Sequence, residues 1–117
     1  NLTTNELFVL DIIWFADDGC LQSEICERMS ATRQTISAII KKFLKLGYVS
    51  LSECKNDRRN KIIRFTQAGS EYTKKIIPPA AAAEIDAMAE LADGDIVELV
   101  RITTLFSNLM KKKFNEI

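Results

Sequence analysis

TRQTISAIIKKFLKLGYVSLSECKNDRRNKIIRFT, residues 32–66, changes its hydrophobic period once, at Gly47, and that change decides the fold. Before the glycine, Ile36, Ile39, Ile40, Phe43 and Leu44 recur at the three-and-four spacing that lines one face of a helix. Arg33, Gln34, Ser37, Ala38, Lys41 and Lys45 occupy the other face. Thr32 is placed to cap the first turn, and Gly47 suits the left-handed residue that ends a helix. After the glycine the period drops to two. Val49, Leu51 and Glu53 alternate with Ser50, Ser52 and Cys54, as in a half-solvated strand. A polar tip at residues 55–60 leads into a second short apolar run, residues 62–65. A cationic helix followed by a hairpin with a cationic tip outlines a winged helix-turn-helix.

Charge supports this outline through its distribution. The formal net charge is zero over 117 residues. Yet residues 28–64 carry ten cations against two anions, Glu53 and Asp57, a local balance of +8. Residues 1–27 carry six carboxylates and no cation, and residues 65–117 six cations and eight anions. A basic island flanked by acidic segments is the footprint of a phosphate-binding surface.

The length is that of one domain, and a hydrophobic content of 47% provides for a modest core. No apolar run approaches the ~18–20 residues of a membrane span, and no secretory pattern is present, so no membrane partner is expected. Three cysteines without CxxC spacing, and no histidine, argue against a disulfide framework and a zinc site. A reducing cytoplasmic location is the expectation, with no metal and no cofactor. The chain begins at Asn1 rather than Met, which suggests residues upstream. The same composition disfavours an enzyme: it has no histidine, no glycine-rich phosphate loop and no visible nucleophile–base pair.

Residues 3–17 read as a helix with a capping-box start, Thr3 followed by Glu6. Leu7, Leu10, Ile13 and Trp14 share a face, and Phe8, Ile12 and Phe15 widen the apolar surface, so cover is expected on more than one side. Residues 17–19, Asp-Asp-Gly, end it. Residues 21–29 form a short helix with Ile25 and Met29 inward, and Ser30-Ala31 is the tight link to the cationic helix. Residues 22–46 are thus the helix-turn-helix proper, whose second helix enters the major groove.

Three segments resemble the MarR family of winged-helix transcriptional regulators. Residues 21–29, LQSEICERM, are similar to the family's helix before the recognition helix. Thr35-Ile36-Ser37 stands where members carry Thr-Val-Ser. Asp57-Arg58-Arg59-Asn60-Lys61, followed by Phe65-Thr66-Gln67-Ala68-Gly69, resembles the wing signature and the helix start behind it. The resemblance implies a mainly α fold: a winged helix-turn-helix with a small antiparallel β-hairpin wing, plus long terminal dimerisation helices. It implies one domain over residues 1–117, with a DNA-binding lobe at 17–66 and dimerisation helices at 1–16 and 67–117. There is no room for the family's usual extra helix before Leu7. That helix is also where MarR-like redox sensors place their reactive cysteine.

Residues 67–77 are expected to be helical up to a break at Pro78-Pro79, with a helix resuming over 80–92 and a second interruption at Asp93-Gly94. Residues 95–114 then run unbroken, with Ile96, Leu99, Val100, Thr103, Phe106, Met110 and Phe114 in a stripe about 30 Å long. Such a stripe needs cover, from the chain's own first helix or from a second copy. The resemblance implies both, in a homodimer seamed at Leu99, Thr103, Phe106 and Met110.

The expected partner is double-stranded DNA. Thr32, Arg33, Gln34, Thr35, Ser37 and Ala38 lie at the front of the recognition helix; Arg33 suits guanine and Gln34 adenine. Thr35 and Ser37 suit a base edge or a phosphate. Lys41, Lys42 and Lys45 lie further back, toward the DNA backbone, with Lys61 on the wing. Arg58 or Arg59 at the wing tip suits a minor groove, and Asp57 the orientation of its neighbours. A small aromatic or phenolic effector is a candidate ligand near Trp14 and Phe15, where two lobes would join. Cys26 fits a buried site, Cys20 a loop whose acidic neighbours raise its pKa, and Cys54 the electropositive setting of a redox candidate. Together these readings describe a sequence-specific transcriptional regulator, a repressor by expectation. The alternative is a winged-helix protein-interaction module without specific DNA binding.

Overall fold

A computed structural model describes residues 1–55 and 57–117, with the side chain of Arg58 also outside the described set. The chain divides into two compact units, Asn1–Pro79 and Ala80–Ile117. The first holds α1 (Thr4–Phe15), β1 (Cys20–Leu21), α2 (Gln22–Met29), α3 (Arg33–Lys45), β2 (Val49–Cys54), β3 (Asp57–Phe65) and α4 (Gln67–Lys74). The cut falls inside α5 (Ile77–Ala89), and α6 (Asp93–Asn115) belongs to the second unit. The fold is mainly α with a small antiparallel sheet, a winged helix-turn-helix as expected.

α1 starts where its capping box does. The Thr3 N–H donates to Glu6 Oε1 at 2.9 Å, and the Glu6 N–H donates back to Thr3 Oγ1 at 3.1 Å. The helix buries Val9, Leu10, Ile12 and Ile13 against Ile25 of α2, Ile36, Ile39, Ile40 and Phe43 of α3, and Val49 and Ile63 of the sheet. It therefore shares one core with the winged helix, which is why the first unit runs past the expected 17–66 lobe at both ends. Phe15, expected to be covered, is 61% exposed; Phe8 is exposed too. The buried arc is centred on Val9 and Ile13, and those two rings fall outside it.

Two expectations about strands are corrected. Cys20 is in a strand rather than a loop: β1 pairs antiparallel with β3 through Cys20↔Ile63 and Leu21↔Ile62, giving a three-stranded sheet of order β1-β3-β2. Two residues carry too short a pattern for period-two reading. Their strand conformation comes from the edge that β3 offers. The wing's return strand also begins earlier, at Asp57, so Arg59 and Asn60 stand in β3 rather than in a tip. Register shifts between Glu53↔Lys61 and Cys54↔Asp57, an irregularity that lets a polar stretch extend the strand. Only Val49 of β2 is buried, and Leu51 faces solvent.

The turn from α3 to β2 uses Gly47 in the left-handed conformation, φ 78°, as its position suggested. α4 docks on that turn. The Thr66 hydroxyl donates to the Gly47 carbonyl at 2.6 Å and accepts from the Gly69 N–H at 3.0 Å, and the Thr66 N–H donates to the Tyr48 carbonyl at 3.0 Å. Gly69 has no alternative here: a Cβ on it would lie 1.8 Å from the Tyr48 carbonyl oxygen. Tyr48 and Tyr72 stack at 4.4 Å between ring centroids. This explains in physical terms why a threonine and a glycine stand three apart behind the wing.

Helix boundaries after α4 differ from those expected. The break comes at Lys75-Ile76, and Pro78-Pro79 lie in the first turn of α5. First-turn N–H groups have no intrahelical acceptor, so proline loses nothing there. Likewise Asp93-Gly94 open α6 instead of interrupting it, with the Ala92 N–H donating to Asp95 Oδ2 at 3.1 Å. Carboxylates in a first turn complement the helix dipole. In this second unit no α6 side chain is buried. Beyond the expected stripe, Val97, Ile102, Leu105 and Leu109 are exposed as well, so α6 presents apolar surface on two sides.

Candidate nucleic-acid interface

α3 is held by one face and free on the other. Ile36, Ile39, Ile40 and Phe43 anchor it in the core; Thr32, Arg33, Gln34, Thr35, Ala38, Lys41 and Lys45 are exposed and Ser37 is half-buried. Thr32 caps the helix by accepting from the Thr35 N–H at 3.1 Å, and the two hydroxyls lie 2.9 Å apart. Thr32 and Thr35 thus engage each other at the helix front. Arg33, Gln34, Ser37, Ala38 and Lys41 line one shallow concavity along the outer face, with no carboxylate among them.

The basic island is less uniform than its sequence count. Lys42 turns away from the outer face: its Nζ donates to Glu6 Oε2 at 2.5 Å, and the Glu6 side chain is only 5% exposed. That bond, followed by the Thr3 N–H, holds the Glu6 carboxyl below the usual carboxylate range despite burial. Lys42 therefore ties α3 to α1. Arg64 is a strut inside the sheet, with Nε on Asp18 Oδ1 at 3.1 Å and Nη1 donating to Ser52 Oγ at 2.7 Å. Its guanidinium lowers the Asp18 pKa. Lys61 pairs across the strands with Glu53 at 3.2 Å. Among the described residues, Arg28, Arg33, Lys41, Lys45, Lys55 and Arg59 stand in no ion pair of the basic region.

At the wing, Asp57 Oδ1 accepts from the Arg59 N–H at 2.9 Å, the turn-orienting role its position suggested. Arg59 is exposed, and the Arg58 side chain lies outside the described residues. A narrow cleft joins the wing to both helices. It is lined by Gln22, Ser23, Arg33, Arg59, Asn60 and Lys61, and Ser23 Oγ donates to Asn60 Oδ1 at 3.4 Å. The sequence marks Glu6 only as a cap and Asn60 only within the wing segment, and it gives Gln22, Ser23 and Asp18 no role at the interface. Ser23, Asn60, Glu6 and Asp18 act through partners 36 to 46 residues away, and pattern reading carries no such information.

Trp14 packs at 6.3 Å against Phe65 and lines a recess of about 280 Å³ with Asp18, Arg64 and Ser70, within the first unit. Phe15 does not line it. Cys54 and Cys26 are half-buried, while Cys20 is buried and its thiol is pushed up to about 11, by burial first and Glu24 second. Leu99, Thr103, Phe106 and Met110 are all exposed on α6. No group of three or more His, Cys, Asp or Glu that could hold a metal occurs among the described residues, and no helix is long and apolar enough to cross a membrane.

Comparison with known proteins gives a consistent outcome. The sequence model of the MarR family matches residues 1–60, about half of the chain. The HTH-type transcriptional regulator PrsX of Escherichia coli is 33% identical over 69 residues, which cover 58% of this chain and 42% of PrsX. The chain thus matches under half the length of that relative. Among solved structures, NMB1585, a MarR family regulator from Neisseria meningitidis, superposes with a TM-score of 0.80 at 23% identity, covering 98% of this chain and 80% of that one. Streptococcus pneumoniae FabT in complex with DNA superposes with a TM-score of 0.75 at 14% identity, covering 96% and 78%. At these identities the structural likeness is one of fold.

Proposed function

The chain belongs to the MarR family, and from that membership and its basic face we propose that it is a sequence-specific regulator of transcription, a repressor, that binds double-stranded DNA. α3 enters the major groove and the wing reaches toward the minor groove. The observation that carries this reading is the outer face of α3, where Arg33, Gln34, Ser37, Ala38 and Lys41 form a carboxylate-free concavity on a helix whose other side is locked in the core. Rigid seating is what base-edge readout needs. Arg33 and Gln34 read bases, Lys41 and Lys45 neutralise phosphates, and Arg59, with Arg58, serves the wing. The DNA in the FabT structure supports DNA as the class of partner.

The working unit is a homodimer joined through α6, since its two exposed apolar sides need cover. Two recognition helices then read successive major grooves of a near-palindrome. The recess beside Trp14 is the candidate site for a small aromatic or phenolic effector. No enzymatic activity is proposed, and the location is cytoplasmic. A role confined to protein interaction is disfavoured because the exposed face of α3 is cationic rather than apolar.

Duplex-DNA binding by the full chain, followed by fluorescence anisotropy across a salt series, tests the reading. Affinity should fall steeply with salt, and Lys41→Gln should flatten the slope by about 0.9 per DNA-binding unit. Gln34→Ala should relax sequence preference while the slope stays unchanged. Weak binding without salt dependence would refute it.

A further inference from the structure

The cleft between α2, α3 and the wing has a chemistry distinct from the open face of α3. Its walls come from three elements: Gln22 and Ser23 from the first turn of α2, Arg33 from the first turn of α3, and Arg59, Asn60 and Lys61 from β3. Among the described residues no carboxylate lines it. Lys61 is partly neutralised by Glu53, which leaves the two arginines as its uncompensated charges. At the start of α2 the Leu21 N–H donates to Glu24 Oε1 at 3.3 Å, and of that first turn Gln22 and Ser23 line the cleft. The Ser23–Asn60 hydrogen bond spans the cleft and holds its walls together. Its volume, about 140 Å³, leaves room for a phosphate group.

We propose that this cleft seats a single DNA backbone phosphate, gripped jointly by Arg33 and Arg59 with Ser23 and Gln22 beneath it. The proposal rests on the DNA-binding reading and adds to it a shared anchor. The recognition helix and the wing are tied to one phosphate rather than to two. Seating that phosphate sets the register of both reading elements at once. Arg33 thereby moves from a base-reading role to a positioning one, and Gln34 becomes the first residue of α3 free to meet a base edge.

The salt dependence of binding counts neutralised phosphates, so it distinguishes a shared phosphate from separate ones without knowledge of the operator. Slopes are measured on one duplex for the full chain, Arg33→Gln, Arg59→Gln, their double variant, and Arg33→Gln with Lys41→Gln. The expected outcome is a loss of about 0.9 in slope per DNA-binding unit for the Arg33/Arg59 double variant, no more than about that for either arginine alone, and about 0.9 from the phosphate of Lys41 for the Arg33/Lys41 pair, in which Arg59 stays on the shared phosphate. Ser23→Asp, which puts a carboxylate into the cleft, should match the Arg33/Arg59 double variant. All these residues are exposed or half-buried, so thermal melts should be unchanged and a folding defect is read separately. A loss of about 1.8 for the Arg33/Arg59 pair would overturn the shared seat while leaving DNA binding intact. Absence of salt-dependent binding by the unmodified chain would overturn the DNA reading itself. Exchanging chloride for inorganic phosphate at fixed ionic strength should weaken DNA binding by the unmodified chain more than by the double variant, since free phosphate competes for the seat. Equal weakening of both would overturn the phosphate seat.

Discussion

Lys42→Met tests how the recognition helix is held. The substitution keeps the aliphatic stem and removes the ammonium that donates to Glu6 Oε2 at 2.5 Å. Glu6 keeps its capping bond from the Thr3 N–H, but its 5%-exposed carboxylate loses the Lys42 ammonium that faces it. Breaking a fully buried pair costs roughly 3–5 kcal/mol. Lys42 is 50% exposed, so solvent screens part of that, and the cost falls toward the ~1.5–3 kcal/mol of a charge-assisted hydrogen bond. About 2 kcal/mol is expected, on the order of 10 °C in Tm for a unit of this size. The pH dependence has a definite sign. The folded Glu6 pKa lies below that of an ordinary glutamate, chiefly through the Lys42 bond, so this stabilisation is fully present above the ordinary, unfolded value. It is lost as pH falls through the folded pKa. Urea titrations from about pH 7 to pH 3 should therefore show the gap between the two proteins constant, then closing. Adding Glu6→Gln to Lys42→Met should recover much of the loss, since the buried charge goes with its partner. A gap under about 0.5 kcal/mol at neutral pH, or one that widens as pH falls, would refute the reasoning.

Gly69→Ala drives a Cβ to 1.8 Å from the Tyr48 carbonyl oxygen and should cost roughly 3 kcal/mol or more, whereas Gly94→Ala meets nothing within 4 Å and should be neutral or slightly stabilising; denaturant midpoints decide both. With its thiol near 11, Cys20 should be about one part in a thousand thiolate at pH 8 and resist labelling until the chain unfolds, and rapid labelling of Cys20 in the native state would contradict its burial. Phe106→Glu puts a charge on the exposed face of α6; light scattering should report a monomer with intact helical circular dichroism, and operator affinity should fall far more than nonspecific affinity. An unmodified chain that is monomeric at micromolar concentration and still binds its operator tightly would remove α6 from the interface.

The reach of the sequence, and its end, are visible in particular residues. Apolar spacing alone marks Ile36, Ile39, Ile40, Phe43 and Leu44 as the core face of α3; the first four are buried and Leu44, at its end, is exposed. Thr3 with Glu6, Thr32 and Gly47 announced caps and a left-handed turn, because these signals act within four residues of one another. The family resemblance at Thr66–Gly69 implies a helix start, though only the approach of the Tyr48 carbonyl explains the glycine. Prolines were read as breakers at 78–79, and a glycine at 94; both sit instead in first turns, where the missing N–H or the missing Cβ has little to disrupt.

What the chain determined by itself is thus whatever depends on near neighbours: helix faces, caps, the change of period at Gly47, and the segregation of charge into a basic third. Tertiary structure alone decided which charges are free. Lys41 and Lys42 are adjacent in sequence and identical in chemistry, yet one lines the outer concavity of α3 and the other is bound to Glu6. Arg64 is held by Asp18 and Ser52, and β1 is a strand because β3 lies beside it. A side chain's charge is written in its residue type, but its availability depends on what the fold brings within hydrogen-bonding distance. Those partners lie tens of residues away along the chain.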